Sequence, residues 1–388
     1  MTLINRLKDI CPATESLSEK IAYSSDASTI EGKPLAVCWP ENLDQIQRLV
    51  RFSIREKLSL VPRGGGTSLV GGAVPNYENS LVIDMSRMNK IKKLLINDKI
   101  VTLETGVYLD HLNEALSSYN LEFPIKPGSH SACSIGGMIS TNAGGLLSKK
   151  YGKIQDWVEE ITLIDGSGKL FTFSGQDAKR LVGSEGCCGI ITEAKLKLEE
   201  IKEYSSDIFE FDNLQDMFAK LKELKEDDSV IALEYINSHA YKLLEKTPKE
   251  ILLVKYDSDK GKFSPAEAEK LWKIRENLYS LLMNLGYIKI EDPYFEKDIE
   301  KFVDWINKQE IPCYGHIAYG ILHPHFKSEK EIEKMNQIVK ELKGNIAGEH
   351  GIGILKKSYA PLEISVKIKE LKSLYDPVSY THLTLPTN

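Results

Sequence analysis

Apolar and polar residues recur with two different periods along the chain, and each period predicts a different element. Leu43, Ile46, Leu49, Val50 and Ile54 follow Pro40 at helical spacing, which predicts an amphipathic helix over residues 43–57. Short apolar runs predict strands over Ser80–Asp84, Ile100–Glu104, Val158–Ile164 and Lys169–Phe173, with Asp165-Gly166 as the hairpin turn between the last two. Ile190–Leu198 alternates as a strand. After Glu199 the texture changes to Lys/Glu-rich helices interleaved with strands such as Val230–Tyr235 and Ile251–Tyr256, so a domain boundary is expected there. No internal repeat is evident.

Composition narrows the class. A chain of 388 residues is long for one domain and suits two. A net charge of −6 and a pI near 5.9 argue against nucleic acid and against a broad basic face for anionic lipid. No apolar run approaches the ~20 residues that span a bilayer, and the first ten residues lack a secretory signal pattern. A cytoplasmic protein with at most peripheral membrane association is expected. The six cysteines, at 11, 38, 133, 187, 188 and 313, include no Cys-x-x-Cys pair, which speaks against an internal iron–sulfur cluster or zinc ribbon. Buried thiols are expected, the adjacent Cys187-Cys188 included.

Three glycine-rich loops carry the first chemistry. Residues 62–75 hold Arg63, Gly64, Gly65, Gly66, Thr67 and Ser68, and such successive N–H groups suit a diphosphate. No Gly-Lys-Ser/Thr ending follows, so this is not an ATP-type loop. The second loop spans 127–145 and the third begins at Gly183-Ser184-Glu185-Gly186. Taken in order, the three resemble the flavin domain of the FAD-linked oxidases, the family of vanillyl-alcohol oxidase and the D-lactate and glycolate dehydrogenases. The resemblance extends over roughly residues 20–377. It implies an α+β fold of two domains: an FAD-binding domain of the vanillyl-alcohol oxidase type over 1–200, an α/β cap over 201–344, and a segment, 345–377, returning to the first. FAD would meet the first loop, then Pro127, Gly128, Ser129, Gly136, Gly137, Asn142, Ala143, Gly144 and Gly145, then Gly183, Ser184, Gly186 and Ile191. Relatives that bind FAD covalently use a histidine where Thr67 stands, so dissociable FAD is expected. His130 reads as a polar loop residue. Cys187-Cys188 departs from the family's usual Thr-Leu.

A second constellation lies near the C-terminus. His316 and His323 are seven apart, so one straight strand would point them to opposite faces, whereas a bend at Tyr319-Gly320 lets them converge. With Glu349 they make a His/His/carboxylate set suited to a divalent ion, zinc foremost. Spacing alone favours two satisfied strand histidines beside an unrelated Glu-His. In the metal-dependent branch that the chain resembles, the matching residues are ligands and the next one, His350, is the base; His325 is the decoy. Trp272-x-x-Arg275 resembles the helix whose arginine holds the substrate carboxylate, and Lys289 matches the next charged element. Two departures stand out. Where the family usually reads Gly-His-x-Gly-Asp-Gly-Asn-x-His, this chain has Ala318-Tyr319 in place of Gly-Asp, and Ile321 in place of Asn.

The implied activity is FAD-dependent dehydrogenation of a D-2-hydroxyacid of the lactate, glycolate or 2-hydroxyglutarate class, with electrons leaving to an external acceptor. An electron-transfer flavoprotein, a quinone, a cytochrome or an iron–sulfur subunit would serve, and a homodimer is compatible. An ether-lipid synthase-like enzyme on the same FAD domain, or a non-catalytic FAD-binding subunit of a glycolate-oxidase-like complex, are the alternatives. Residues 378–388 resemble a translated sequencing-adapter read-through and are set apart as a non-native tail.

Overall fold

Asn42 starts the helix that the sequence predicts, accepting the Gln45 N–H at 3.0 Å, and Lys57 ends it in the left-handed region at φ 56°. The helix spans Leu43–Glu56 and buries Ile46, Leu49 and Val50, with Leu43 and Ile54 at the edge of the same core. The computed structural model describes residues 1–377, except Thr29, Glu245 and the side chain of Lys289. The set-apart tail therefore lies outside the described residues.

The chain divides into two compact units. The first comprises Met1–Ala143, Lys153–Ile201 and the chain from His350 onward; the second comprises Gly144–Gly152 and Lys202–Glu349. In the first, a four-stranded sheet runs in the order Ala13–Thr14, Ala36–Cys38, Ser80–Asp84, Ser59–Arg63, the last three parallel. Leu60, Leu81 and Ile83 of this sheet share a core with the Leu43–Glu56 helix. A separate five-stranded antiparallel sheet is ordered Ile91–Leu95, Ile100–Glu104, Ile190–Lys197, Val158–Ile164, Leu170–Ser174. The expected hairpin joins its last two strands, but through five residues rather than two. Asp165 Oδ1 folds that loop, accepting the N–H groups of Ser167 and Lys169, each at 2.8 Å. The C-terminal helix Leu362–Tyr375 is tied to this unit: the Tyr375 carbonyl accepts the Gly166 N–H at 2.7 Å, and Lys367 Nζ donates to the Val182 carbonyl at 2.7 Å.

The second unit is built on one six-stranded sheet, ordered Ser205–Phe211, Glu250–Tyr256, Val230–Ile236, Cys313–Gly315, His323–Phe326, Lys289–Ile290. Tyr235, Leu252 and Val254 share its core with Phe302 and Val303 of the helix Ile299–Lys308, and with Met335 and Val339 of the helix Glu329–Glu341. Burying each such side chain contributes about 1.5–3 kcal/mol. Every residue of Val230–Ile236 is buried, and Glu234 is the one charge among them. All six cysteines are buried, as expected, and none of them forms a disulfide. Among the described residues no helix is long and apolar enough to cross a membrane.

Candidate active site

In the first unit the three glycine loops meet around the short helix Ile135–Thr141. A Cβ at Gly64 would strike the Ser134 side chain, and one at Gly65 would strike the Ala132 carbonyl, so only glycine lets the first loop lie against the second. At the other end of the helix, Gly183 donates its N–H to the Ile139 carbonyl at 2.9 Å and Glu185 donates to that of Ser140 at 2.8 Å. Residues 62–69 are all partly exposed, and Val70 beyond them is buried. No described residue accepts a hydrogen bond from the backbone N–H of Gly65, Gly66, Thr67, Ser68 or Leu69. Five successive N–H groups left for solvent or a ligand fit an anionic diphosphate.

The remaining expected FAD contacts fall as follows. Arg63 Nη1 donates to the carbonyls of Ser25 at 2.8 Å and Ala73 at 3.3 Å, bracing the loop. Pro127, Gly128 and Ser129 form a turn ahead of His130, which pairs with Asp110 at 2.8 Å. Gly136 donates to the Thr105 carbonyl at 2.8 Å and Gly137 to Ser134 Oγ at 3.2 Å. Asn142, at φ 54°, donates its amide to Gln155 Oε1 at 3.3 Å, and the Ala143 carbonyl accepts the Ile154 N–H at 3.0 Å. Gly144 and Gly145 belong to the second unit. Ser184 is buried, Gly186 sits at φ 70°, and the Ile191 carbonyl accepts the Thr105 hydroxyl at 2.6 Å.

The second constellation assembles within the second unit. Cys313–Gly315 and His323–Phe326 pair antiparallel, and the turn between them, with Gly320 at φ 85°, carries the expected bend. His323 Nε2 lies 3.1 Å and His316 Nε2 3.6 Å from the same oxygen, Glu349 Oε1. The three ligand atoms lie within 4.8 Å of one another, and both histidines are buried. Two imidazole nitrogens and one carboxylate converging in the interior suit a divalent ion with positions left open. His325 is directed elsewhere, its ring 5.2 Å from that of Tyr314 and 6.2 Å from that of Tyr279. His350 follows Glu349 directly and belongs to the first unit, so the boundary falls on that peptide bond. Lys289 pairs through its backbone with Phe326; its side chain is outside the described residues.

Each of the three has a partner behind it that the sequence reading passed over. Glu234 Oε1 meets His316 Nδ1. The Glu291 carbonyl lies 3.4 Å from His323 Nδ1. Asp292 Oδ2 accepts the Glu349 N–H at 2.6 Å, and its carbonyl accepts that of Gly348 at 2.9 Å. Glu234 also accepts from Arg275 Nε at 2.6 Å, while the guanidinium lies 4.2 Å from the Tyr314 ring centroid. Trp272 explains why Arg275 points there. Three residues earlier on the same helix face, it is buried and donates to Ser206 Oγ at 3.0 Å, turning that face of Pro265–Asn284 to the sheet. No described residue accepts from Arg275 Nη1 or Nη2. A signal for Glu234 was present: a lone acid inside an apolar strand.

Electrostatics follow the geometry. Burial alone would raise Glu234, but His316 and Arg275 outweigh it and hold it at about 2. Burial would lower His316, but the carboxylates of Glu234 and Glu349 outweigh it and hold it up at about 10. Glu349 is held well below its ordinary value, since His316 and His323 outweigh its desolvation.

The comparisons match both halves of the chain. The FAD binding domain model covers residues 34–174, and the C-terminal domain model of the FAD linked oxidases covers 261–380. A D-2-hydroxyglutarate dehydrogenase of Xanthomonas citri pv. viticola is 28% identical over 84% of this chain and 82% of its own. The glycolate oxidase subunit GlcD of Bacillus subtilis is 29% identical over 94% and 91%. The D-lactate dehydrogenase of Archaeoglobus fulgidus is 26% identical over 87% and 88%. Among solved structures, an alkyldihydroxyacetonephosphate synthase superposes with a TM-score of 0.72 at 17% identity, covering 99% of this chain and 84% of that one, which shows a shared fold. With its glycine loops meeting around the Ile135–Thr141 helix and both domain models matched, the chain is an FAD-dependent oxidoreductase and belongs to the FAD-linked oxidases, in their D-lactate and glycolate dehydrogenase branch.

Proposed function

We propose that the protein dehydrogenates a D-2-hydroxyacid to its 2-oxoacid, with non-covalent FAD and one divalent ion, zinc foremost, held by His316, His323 and Glu349. The observation that carries this reading is the convergence of both histidine Nε2 atoms on Glu349 Oε1. The relatives named above act, by their names, on 2-hydroxyacids. The substrate loses its hydroxyl proton and the hydride on Cα. FAD, when bound, supplies the acceptor for that hydride. The ion, when bound, supplies Lewis-acid polarisation of the hydroxyl oxygen. The chain's own groups do the rest. Arg275 holds the substrate carboxylate through Nη1 and Nη2, its Nε being taken by Glu234. His350, next to Glu349, takes the hydroxyl proton, and Lys289 adds positive charge.

Ile321 sharpens the substrate class. It is buried, and its Cγ1 lies close against Gly348, where a Cβ would approach it to 3.2 Å. An apolar group against Gly348, one residue before Glu349, offers no hydrogen bond to a second carboxylate, so acids with apolar or aromatic side chains are preferred over dicarboxylates. Electrons leave to an external acceptor, and the GlcD relative, named as a subunit, supports a partner protein in that role. Elemental analysis after mild dialysis tests the metal. About one ion per chain is expected, and its loss from a His316→Ala/His323→Ala variant; equal metal in both removes the site.

A further inference from the structure

Glu234 is fully buried and carries charge in the middle of an apolar strand. Such a group is stabilised only by excellent pairing, and an apolar replacement of a buried ion set is often as stable or more so. Stability alone therefore gives little reason for it. Its position has a clear origin in the sheet. Tyr235 pairs with Gly315 and Ile236 with Tyr314, so one further step along that antiparallel register sets Glu234 opposite His316. One carboxylate oxygen meets His316 Nδ1 and the other accepts Arg275 Nε at 2.6 Å.

A neutral imidazole has one N–H and one lone pair. An acceptor fixed at Nδ1 places the N–H there and leaves the lone pair on Nε2, the atom that lies 3.6 Å from Glu349 Oε1. The ring can then neither flip nor change tautomer without losing that bond. The same carboxylate directs the arginine, taking its Nε and leaving Nη1 and Nη2 for a ligand.

We infer that Glu234 is a positioning residue that sets His316 for the divalent ion and Arg275 for the substrate carboxylate, joining the two recognition events through one side chain. This rests on the metal site proposed above. Outer partners of this kind typically change metal affinity by ~10–100-fold. A carboxylate that merely neutralised Arg275 would change stability and leave the metal alone.

The test uses full-length, FAD-loaded protein and Zn2+ in competition with a chelator. Glu234→Gln is expected to weaken Zn2+ binding ~10–100-fold, to raise KM for the acid more than it lowers kcat, and to keep its flavin. Glu234→Asp keeps the charge but withdraws the oxygens from both partners. The same loss is expected of it, and it serves if the Gln variant does not fold. Zn2+ affinity within about twofold of wild type in either folded variant overturns the inference. Should wild type itself hold no more Zn2+ than His316→Ala/His323→Ala, the functional reading fails, which is a separate result.

Discussion

The carboxylate of Glu185 accepts the backbone N–H of Ile352 at 3.0 Å, across 167 positions of sequence. Its second oxygen accepts that of Gly353 at 3.1 Å. The third glycine loop thereby pins, within the first unit, the segment that begins at His350. Glu185→Ala leaves two buried N–H groups without this acceptor, at a cost of about 1–3 kcal/mol for each. The expected outcome is a lower thermal midpoint together with a lower kcat. An unchanged midpoint would show that the pin has no energetic weight.

His350→Ala is expected to lower turnover by ~10²–10⁴-fold, the usual cost of losing a general base, with FAD and metal content unchanged. Steady-state rates across pH, with flavin absorbance and elemental zinc on the same sample, check this. Full activity at every pH removes His350 from the mechanism.

Much of the fold was legible in the residues. Ser80–Asp84, Ile100–Glu104 and Val158–Ile164 form with the bounds that their apolar runs predict. Val230–Ile236 was legible as a strand, and a lone acid within it was its one mark of a site. What makes Glu234 chemical is the register that sets it opposite His316, 82 residues away, and no local period encodes that. Asp292 was hidden in the same way, since its action on Glu349 depends on a bridge between Asp292 and Ala347. His316 and His323 were found through the family resemblance, since the bend at Tyr319-Gly320 only allows them to converge.

Metal binding should depend on pH with a definite sign. His316 stands at about 10, above its ordinary 6.5. In the ion-free protein its charged form therefore contributes stability that is fully present below 6.5 and lost as pH rises through about 10. A ligand histidine must be neutral, so Zn2+ displaces one proton. Between pH 7 and 9 the affinity should rise ~tenfold per unit, with about one proton released per ion. Chelator competition at three pH values measures this, and a flat profile would contradict it.

FAD should leave on acid precipitation. Thr67 cannot form the covalent attachment, and residues 62–75 hold no histidine, cysteine or tyrosine that could. Yellow colour in the supernatant is expected; colour retained in the pellet would contradict non-covalent binding.

Anaerobic mixing of the FAD-loaded, zinc-replete protein with a panel of D- and L-2-hydroxyacids, followed by flavin absorbance, tests the proposed reaction most directly. Bleaching by D-acids is expected, fastest with an apolar or aromatic side chain, and it should be lost in His316→Ala/His323→Ala. A flavin that no member of the panel reduces, or one bleached equally in that variant, would contradict the account.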